Sequence, residues 1–213
     1  MGSSSLVFAV ALLSLLPFVF LGLTAFVKIG TVLHIVRSAI GVPQVPSNTV
    51  VTVLAAALTV LAMAPVGDRI VEGAAPLVAR GGETSTVVRE VIPVVVEPLR
   101  SFFKANASPR EQARFFAVAQ KARPAHERAR VGPDDLTVLA PAFVVTELAE
   151  AFSLGFMLYL PFLVLELVVA NVLVALGMPM VSPTQVSLPF KLLLFVAIDG
   201  WGVLAQSLVA GYR

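Results

Sequence analysis

The sequence predicts an all-α integral membrane protein made of helical hairpins, and three observations carry that prediction. Of its 213 residues, 58% are hydrophobic and 13% charged, where an ordinary soluble domain carries about 25% charge. Mean hydropathy is +0.93. The apolar residues gather in long blocks separated by Pro- and Gly-bearing breaks and by one hydrophilic stretch, enough for about four apolar helices and an excursion.

The first block covers residues 6–27, interrupted by Pro17, and is long enough to span a hydrocarbon core of about 30 Å. No basic residue precedes it and no small-x-small site closes it, so it reads as a retained helix rather than a cleaved leader. Residues 28–48 form a short polar connector. Its first part keeps helical spacing and extends the first helix; Gly41, Pro43 and Pro46 then force a turn. The second block, residues 49–66, is expected to end at Pro65 and Gly67. Its alanines at 55, 56, 57, 62 and 64 suit close helix packing, where lipid and protein are equally apolar.

Residues 68–135 are the hydrophilic excursion, with eleven basic and nine acidic residues interspersed as on a solvated surface. Ser108-Pro109-Arg110-Glu111 reads as a helix start, with Ser at the cap and Pro at the first helical position. Residues 112–123 follow as a helix that is basic on one side, and residues 80–86, with Gly81-Gly82, read as a loop. The third apolar block, residues 142–176, is longer than one straight crossing needs, and Gly155 and Pro161 offer places to bend. Leu176-Gly177-Met178-Pro179-Met180-Val181-Ser182-Pro183 breaks it, and residues 188–209 form the last helix. The chain thus divides into an N-terminal membrane hairpin (1–67), a partly helical excursion (68–135) and a C-terminal hairpin with a methionine-bearing tip (136–213). Lys28 and Arg37, with no acid between them, put the connector on the cytoplasmic side.

Composition excludes several functions. A net charge of +2 gives no footprint for nucleic acid, and the absence of cysteine removes disulfides, thiolate metal sites and thiol nucleophiles. His34 and His126 are the only histidines, and neither spacing suggests a triad or a metal site. No phosphate-binding loop or dinucleotide fingerprint occurs. The reading is of a non-enzyme with no cofactor and no metal.

Charges inside apolar runs remain: Glu147, Glu150, Glu166, Lys191 and Asp199. Each charge would cost roughly 2.5–3.5 kcal/mol at the centre of an isolated inserted helix. On one continuous helix Lys191 and Asp199 would stand about 12 Å and about 80° apart, so their partners must lie elsewhere. Two readings stay open. One is a proton- or ion-coupled small-solute transporter using the carboxylates. The other is an assembly whose charges pair between subunits. A transporter should show internally duplicated hydropathy with paired broken helices, and the two halves show no such repeat.

Many short segments then carry a resemblance. They are Phe26-Val27-Lys28-Ile29, the run from Arg37 to Asn48 with Gly41, Pro43, Gln44 and Pro46, and Met63-Ala64-Pro65-Val66-Gly67. Further along come Leu139-Ala140-Pro141-Ala142-Phe143, Glu147-Leu148, Phe156, Pro161-Phe162, Leu176-Gly177-Met178, Leu188-Pro189-Phe190-Lys191 and Asp199-Gly200-Trp201. In order and over nearly the whole chain, they resemble the FliP/SctR family (YscR and HrcR in injectisomes), core subunits of the type III secretion export apparatus. The excursion matches least.

The resemblance implies a subunit of the bacterial inner membrane that assembles as a homopentamer. Its partners would be a small two-helix subunit, a larger single-copy subunit and an autoprocessing switch subunit. The helical cone so formed, buried largely in protein and partly above the bilayer lipid, would pass unfolded secreted proteins, with energy supplied by other subunits. It also implies a pore gasket at Met178 and Met180; methionine is flexible and polarizable, so a ring of it can seal and still yield. Glu147, Glu166, Lys191 and Asp199 would be buried charged or inter-subunit contacts, and Gly41, Pro43, Gln44, Pro46 and Asn48 a structural loop. Pro179 stands where the flagellar pattern has the middle of three methionines, which favours the injectisome branch.

Overall fold

Helices form where the apolar runs are, but several of their ends fall away from the expected breaks. In a computed structural model of the chain the described residues are 14, 17–42, 45–80 and 84–212, and none of them is in a strand. Residues 17–22 are helical. The principal helices are α1 (Phe26–Ile40), α2 (Asn48–Arg80), α3 (Thr84–Asn106), α4 (Pro109–Lys121), α5 (Leu136–Ala175), α6 (Pro183–Ala197) and α7 (Gly200–Ala210), with a 3-10 helix at Ala125–Arg130. Asn48–Leu77 and Leu136–Ala175 are long and apolar enough to cross a membrane, and α6 with α7 makes a third span if that bent pair is one crossing. The chain is an all-α membrane protein. Ten of the 22 residues of the first apolar block, 6–13, 15 and 16, lie outside the described residues.

Four expectations need correction. The second helix does not stop at Pro65 and Gly67; α2 runs through both and through Pro76 to Arg80. A proline removes one backbone hydrogen bond and bends a helix, which a long apolar helix absorbs. Residues 80–86 are not one loop: helix includes Arg80 and resumes at Thr84, and residues 81–83 between them lie outside the described residues. Residues 28–40 are no polar extension, for Ile29, Val32, Leu33, Val36, Ala39 and Ile40 are all buried. The last helix is not continuous: α6 and α7 meet at a 56° bend.

The chain divides into two compact units. One comprises Met1–Val27, Val60–Glu147 and Tyr212–Arg213. Its core joins α2, α3 and α5 through Val66, Phe102, Phe103, Leu139, Ala142 and Phe143. The Phe143 ring lies 4.9 Å from Phe103 and 5.3 Å from Phe102, and Tyr212 stacks on Phe102 at 5.8 Å. Such ring pairs contribute about 0.5–1.5 kcal/mol each beyond their burial. The expected start of α4 is present: the Ser108 hydroxyl accepts from the Glu111 N–H, with Pro109 at the first helical position. The Ser108 N–H donates to the Thr146 hydroxyl of α5 at 3.0 Å, so this cap also ties the excursion to α5.

The other unit comprises Lys28–Thr59 and Leu148–Gly211. The buried stripe of α1 recurs at helical spacing, and α5 passes close to it. A Cβ at Gly155 would come within 2.5 Å of the Ile35 side chain, so glycine permits that approach. Val51, Ala55 and Thr59 of α2 are also buried, and the Thr59 hydroxyl is satisfied by the Ala55 carbonyl at 2.7 Å.

Candidate functional site at the C-terminal hairpin

The hairpin of α5 and α6 turns through local chemistry alone. Gly177 has φ +73°, a left-handed conformation that glycine adopts without strain. The Met178 N–H donates to the Leu173 carbonyl at 2.9 Å, and the Gly177 N–H to that of Val174 at 3.0 Å. This is the Schellman arrangement that closes a helix. The Val181 N–H then donates to the Met178 carbonyl at 3.2 Å, so Pro179 and Met180 are the central residues of a β-turn. Proline is favoured at the first central position, which gives Pro179 a structural task at the tip. Pro183 opens α6. The side chains at the tip point away from the hairpin: Met178 is 46% exposed and Met180 96%.

One carboxylate clasps the two arms together. Glu166 of α5 accepts from the Lys191 ammonium and from the Thr184 hydroxyl, both at 2.5 Å. The Lys191 side chain is 4% exposed and that of Glu166 27%. Thr184, Ser187, Lys191 and Phe195 lie at i, i+3, i+7 and i+11, one face of α6. One turn before Glu166, Phe162 meets Phe195 at 6.3 Å, and Phe195 meets the edge of Trp201 at 5.1 Å. Ionic, hydroxyl and aromatic contacts therefore all hold one register of α5 against α6.

Asp199 is exposed, with no ion pair among the described residues, and so is not a buried charge within the chain. It sits at the α6–α7 break with φ +50° and ψ +51°, at the N-cap of α7. Asn and Asp are the non-glycine residues that tolerate this conformation. A Cβ on Gly202 would strike the Asp199 carboxylate, and one on Gly200 would strike the Phe195 ring. The Asp-Gly-Trp-Gly sequence thus builds a tight corner with a carboxylate against the N-terminus of α7, where the helix dipole favours negative charge.

Glu147 is fully buried, and its carboxylate is hydrogen-bonded with the Tyr212 hydroxyl. That hydroxyl is also 3.1 Å from the Ala25 carbonyl. Lys28, read from sequence as part of a polar connector, is buried and pairs with Glu150 at 2.7 Å. Sequence reasoning missed Lys28, Tyr212 and Thr184. The one signal for Lys28 is its position inside an apolar helical run. Beside the Lys28–Glu150 pair is a cleft of about 440 Å³, otherwise lined mainly by apolar side chains that include Val32, Leu154, Met157 and Leu204. In the connector, Arg37 donates to the Pro46 carbonyl at 2.5 Å and to the Asn48 side-chain oxygen at 2.7 Å, and Gly41 has φ +78°. Pro43 and Gln44 lie outside the described residues.

Comparison with known proteins covers nearly the whole chain. The model of the FliP family matches residues 9–208. The chain is 46% identical to the pathogenicity-related ORF2 protein of Xanthomonas campestris pv. glycines over 210 residues, covering 99% of this chain and 97% of that protein. It is 45% identical to the hypersensitivity response secretion protein HrcR of Ralstonia nicotianae over 212 residues, 99% and 97% of the two chains. With the Yop proteins translocation protein R of Yersinia pestis it shares 40% identity over 212 residues, 98% and 95%. By this near-complete match, the chain belongs to the FliP family.

Proposed function

We propose that this chain is a core subunit of a type III secretion export gate in the bacterial inner membrane, in which several copies surround a passage for unfolded proteins. Membership of the FliP family and relatives named for secretion and translocation support a secretion-apparatus component rather than an enzyme. The pore and the homopentamer belong to the proposal, as do the small two-helix, larger single-copy and autoprocessing partner subunits. The injectisome branch is proposed on Pro179 at the tip.

The observation that carries the reading is the tip itself. Met180 is 96% exposed on a β-turn whose arms are clasped by Glu166, Thr184 and Lys191. A flexible apolar side chain on a rigid support suits a seal that yields to a polypeptide. Only 11% of the apolar stretch of α5 is buried within the chain, which suits a helix covered by neighbouring subunits. Glu166 is engaged by two donors, which argues against a free proton-carrying carboxylate there. The test is Met178→Ala with Met180→Ala in cells making the complete apparatus. The proposal expects a normally assembled complex and increased leak of small ions or solutes; assembly with no change in leak overturns the gasket.

A further inference from the structure

The excursion carries a cationic surface that the export reading does not use. Residues 109–130 hold six basic residues against two acidic ones, in a chain whose whole net charge is +2. Beyond Pro109, the exposed residues of α4 are Arg110, Ala113, Arg114, Ala117, Val118 and Lys121, a single helix face without an acid. Two of the nearby acids are already paired with basic side chains. Glu111 is held by Arg114 at 3.1 Å, Asp134 by Lys104 at 2.7 Å, and Asp135 accepts from the Gly132 N–H at 2.9 Å. Glu127 lies 3.6 Å from His126. Among the described residues Lys121, Arg123, Arg128 and Arg130 have no ion pair.

We propose that this face, α4 with the following 3-10 helix, docks on anionic phospholipid headgroups. Charge complementarity names the partner class, and chain position favours lipid over an acidic protein. Arg130 precedes by only six residues Leu136, where a helix fit to cross a membrane begins. Basic clusters on an amphipathic helix beside a span are drawn to anionic lipid, each charge near the surface contributing about a fivefold preference. Val118, 54% exposed in the middle of the face, supplies an apolar contact at headgroup depth.

The absence of native cysteine makes the test direct. The full chain with Val118→Cys carries a spin label and is placed in lipid nanodiscs, either of phosphatidylcholine alone or with phosphatidylglycerol as about a third of the lipid. The label's accessibility to a water-soluble relaxation agent should fall severalfold in the anionic discs only. It should recover in about 1 M salt, where the screening length is about 3 Å, and in Lys121→Gln/Arg123→Gln/Arg130→Gln, whose preference should drop by about a hundredfold. None of the three positions is buried, and unchanged far-UV dichroism checks that the variant folds. Equal accessibility in both discs overturns the proposal in favour of a solvated surface. Equal shielding in both lipids overturns the role of charge, and shielding that needs an added acidic protein assigns the face to that protein instead.

Discussion

Lys191→Met removes the ammonium at the centre of the hairpin clasp while keeping most of the side-chain bulk. Glu166 is then left with the Thr184 hydroxyl as its one donor among the described contacts. Removing one partner of a buried pair costs about 3–5 kcal/mol, because the other charge is stranded. Glu166 keeps 27% of its side chain exposed and so recovers some solvation, which puts the expected loss near the lower end, at about 3 kcal/mol. At roughly 2–4 °C per kcal/mol for a chain of this size, the melting temperature should fall by about 6–12 °C. The double variant Lys191→Met/Glu166→Gln removes both charges and leaves an amide able to accept from Thr184, so its loss should be about 1 kcal/mol. Thermal unfolding of the parent, the two single variants and the double variant in one detergent, followed by circular dichroism, measures the coupling. Single-variant losses that add to the double-variant loss within about 0.5 kcal/mol would refute the clasp. Native gels of the extracted complex extend the test: Lys191→Met should reduce the assembled form, whereas normal assembly with a defect only in solute transport would favour a transporter.

Three other substitutions probe the remaining contacts. Gly202→Ala brings a methyl group against the Asp199 carboxylate, the end of an exposed side chain that can swing aside, so the α6–α7 corner should change by no more than about 0.5 kcal/mol; a melting temperature lower by several degrees would contradict that geometry. Tyr212→Phe keeps the stack on Phe102 but removes the hydroxyl from Glu147 and the Ala25 carbonyl, with an expected loss of about 1–3 kcal/mol. Tyr212→Ala should lose more, since the ring goes as well. Ser108→Ala removes the cap of α4 at about 1 kcal/mol, read as faster amide exchange in the first turn of that helix.

What could be read from the sequence was what local chemistry decides. The Ser108-Pro109 start is a matter of a few consecutive residues, and so is the break at Gly177 with its methionine-bearing turn. The end of α2 was misread because Pro65 and Gly67 weaken a helix without ending it when the flanking residues remain strong apolar helix formers. The Asp199-Gly200 break carried a signal, since this dipeptide favours turns, but it was masked by apolar residues on both sides. The charge pairs were illegible for a different reason. Glu166 and Lys191 are 25 residues apart and meet only through hairpin register. Lys28 and Glu150 lie on α1 and α5, and no spacing rule connects them. Assigning Lys28 to a connector left Lys191 alone against four acids in the apolar runs; with Lys28 the count is two bases against four acids.

The most direct test of convergent hairpin tips uses Met180→Cys, which gives the chain a single cysteine. Cells making the complete secretion apparatus are oxidised briefly and the protein is run on non-reducing gels. The proposed arrangement predicts disulfide-linked dimers of the Met180→Cys chain, and none for the controls Val71→Cys and Ile92→Cys at other exposed positions. A Met180→Cys chain that cross-links no more than those controls, in cells where the apparatus is assembled, would contradict a passage lined by the tips.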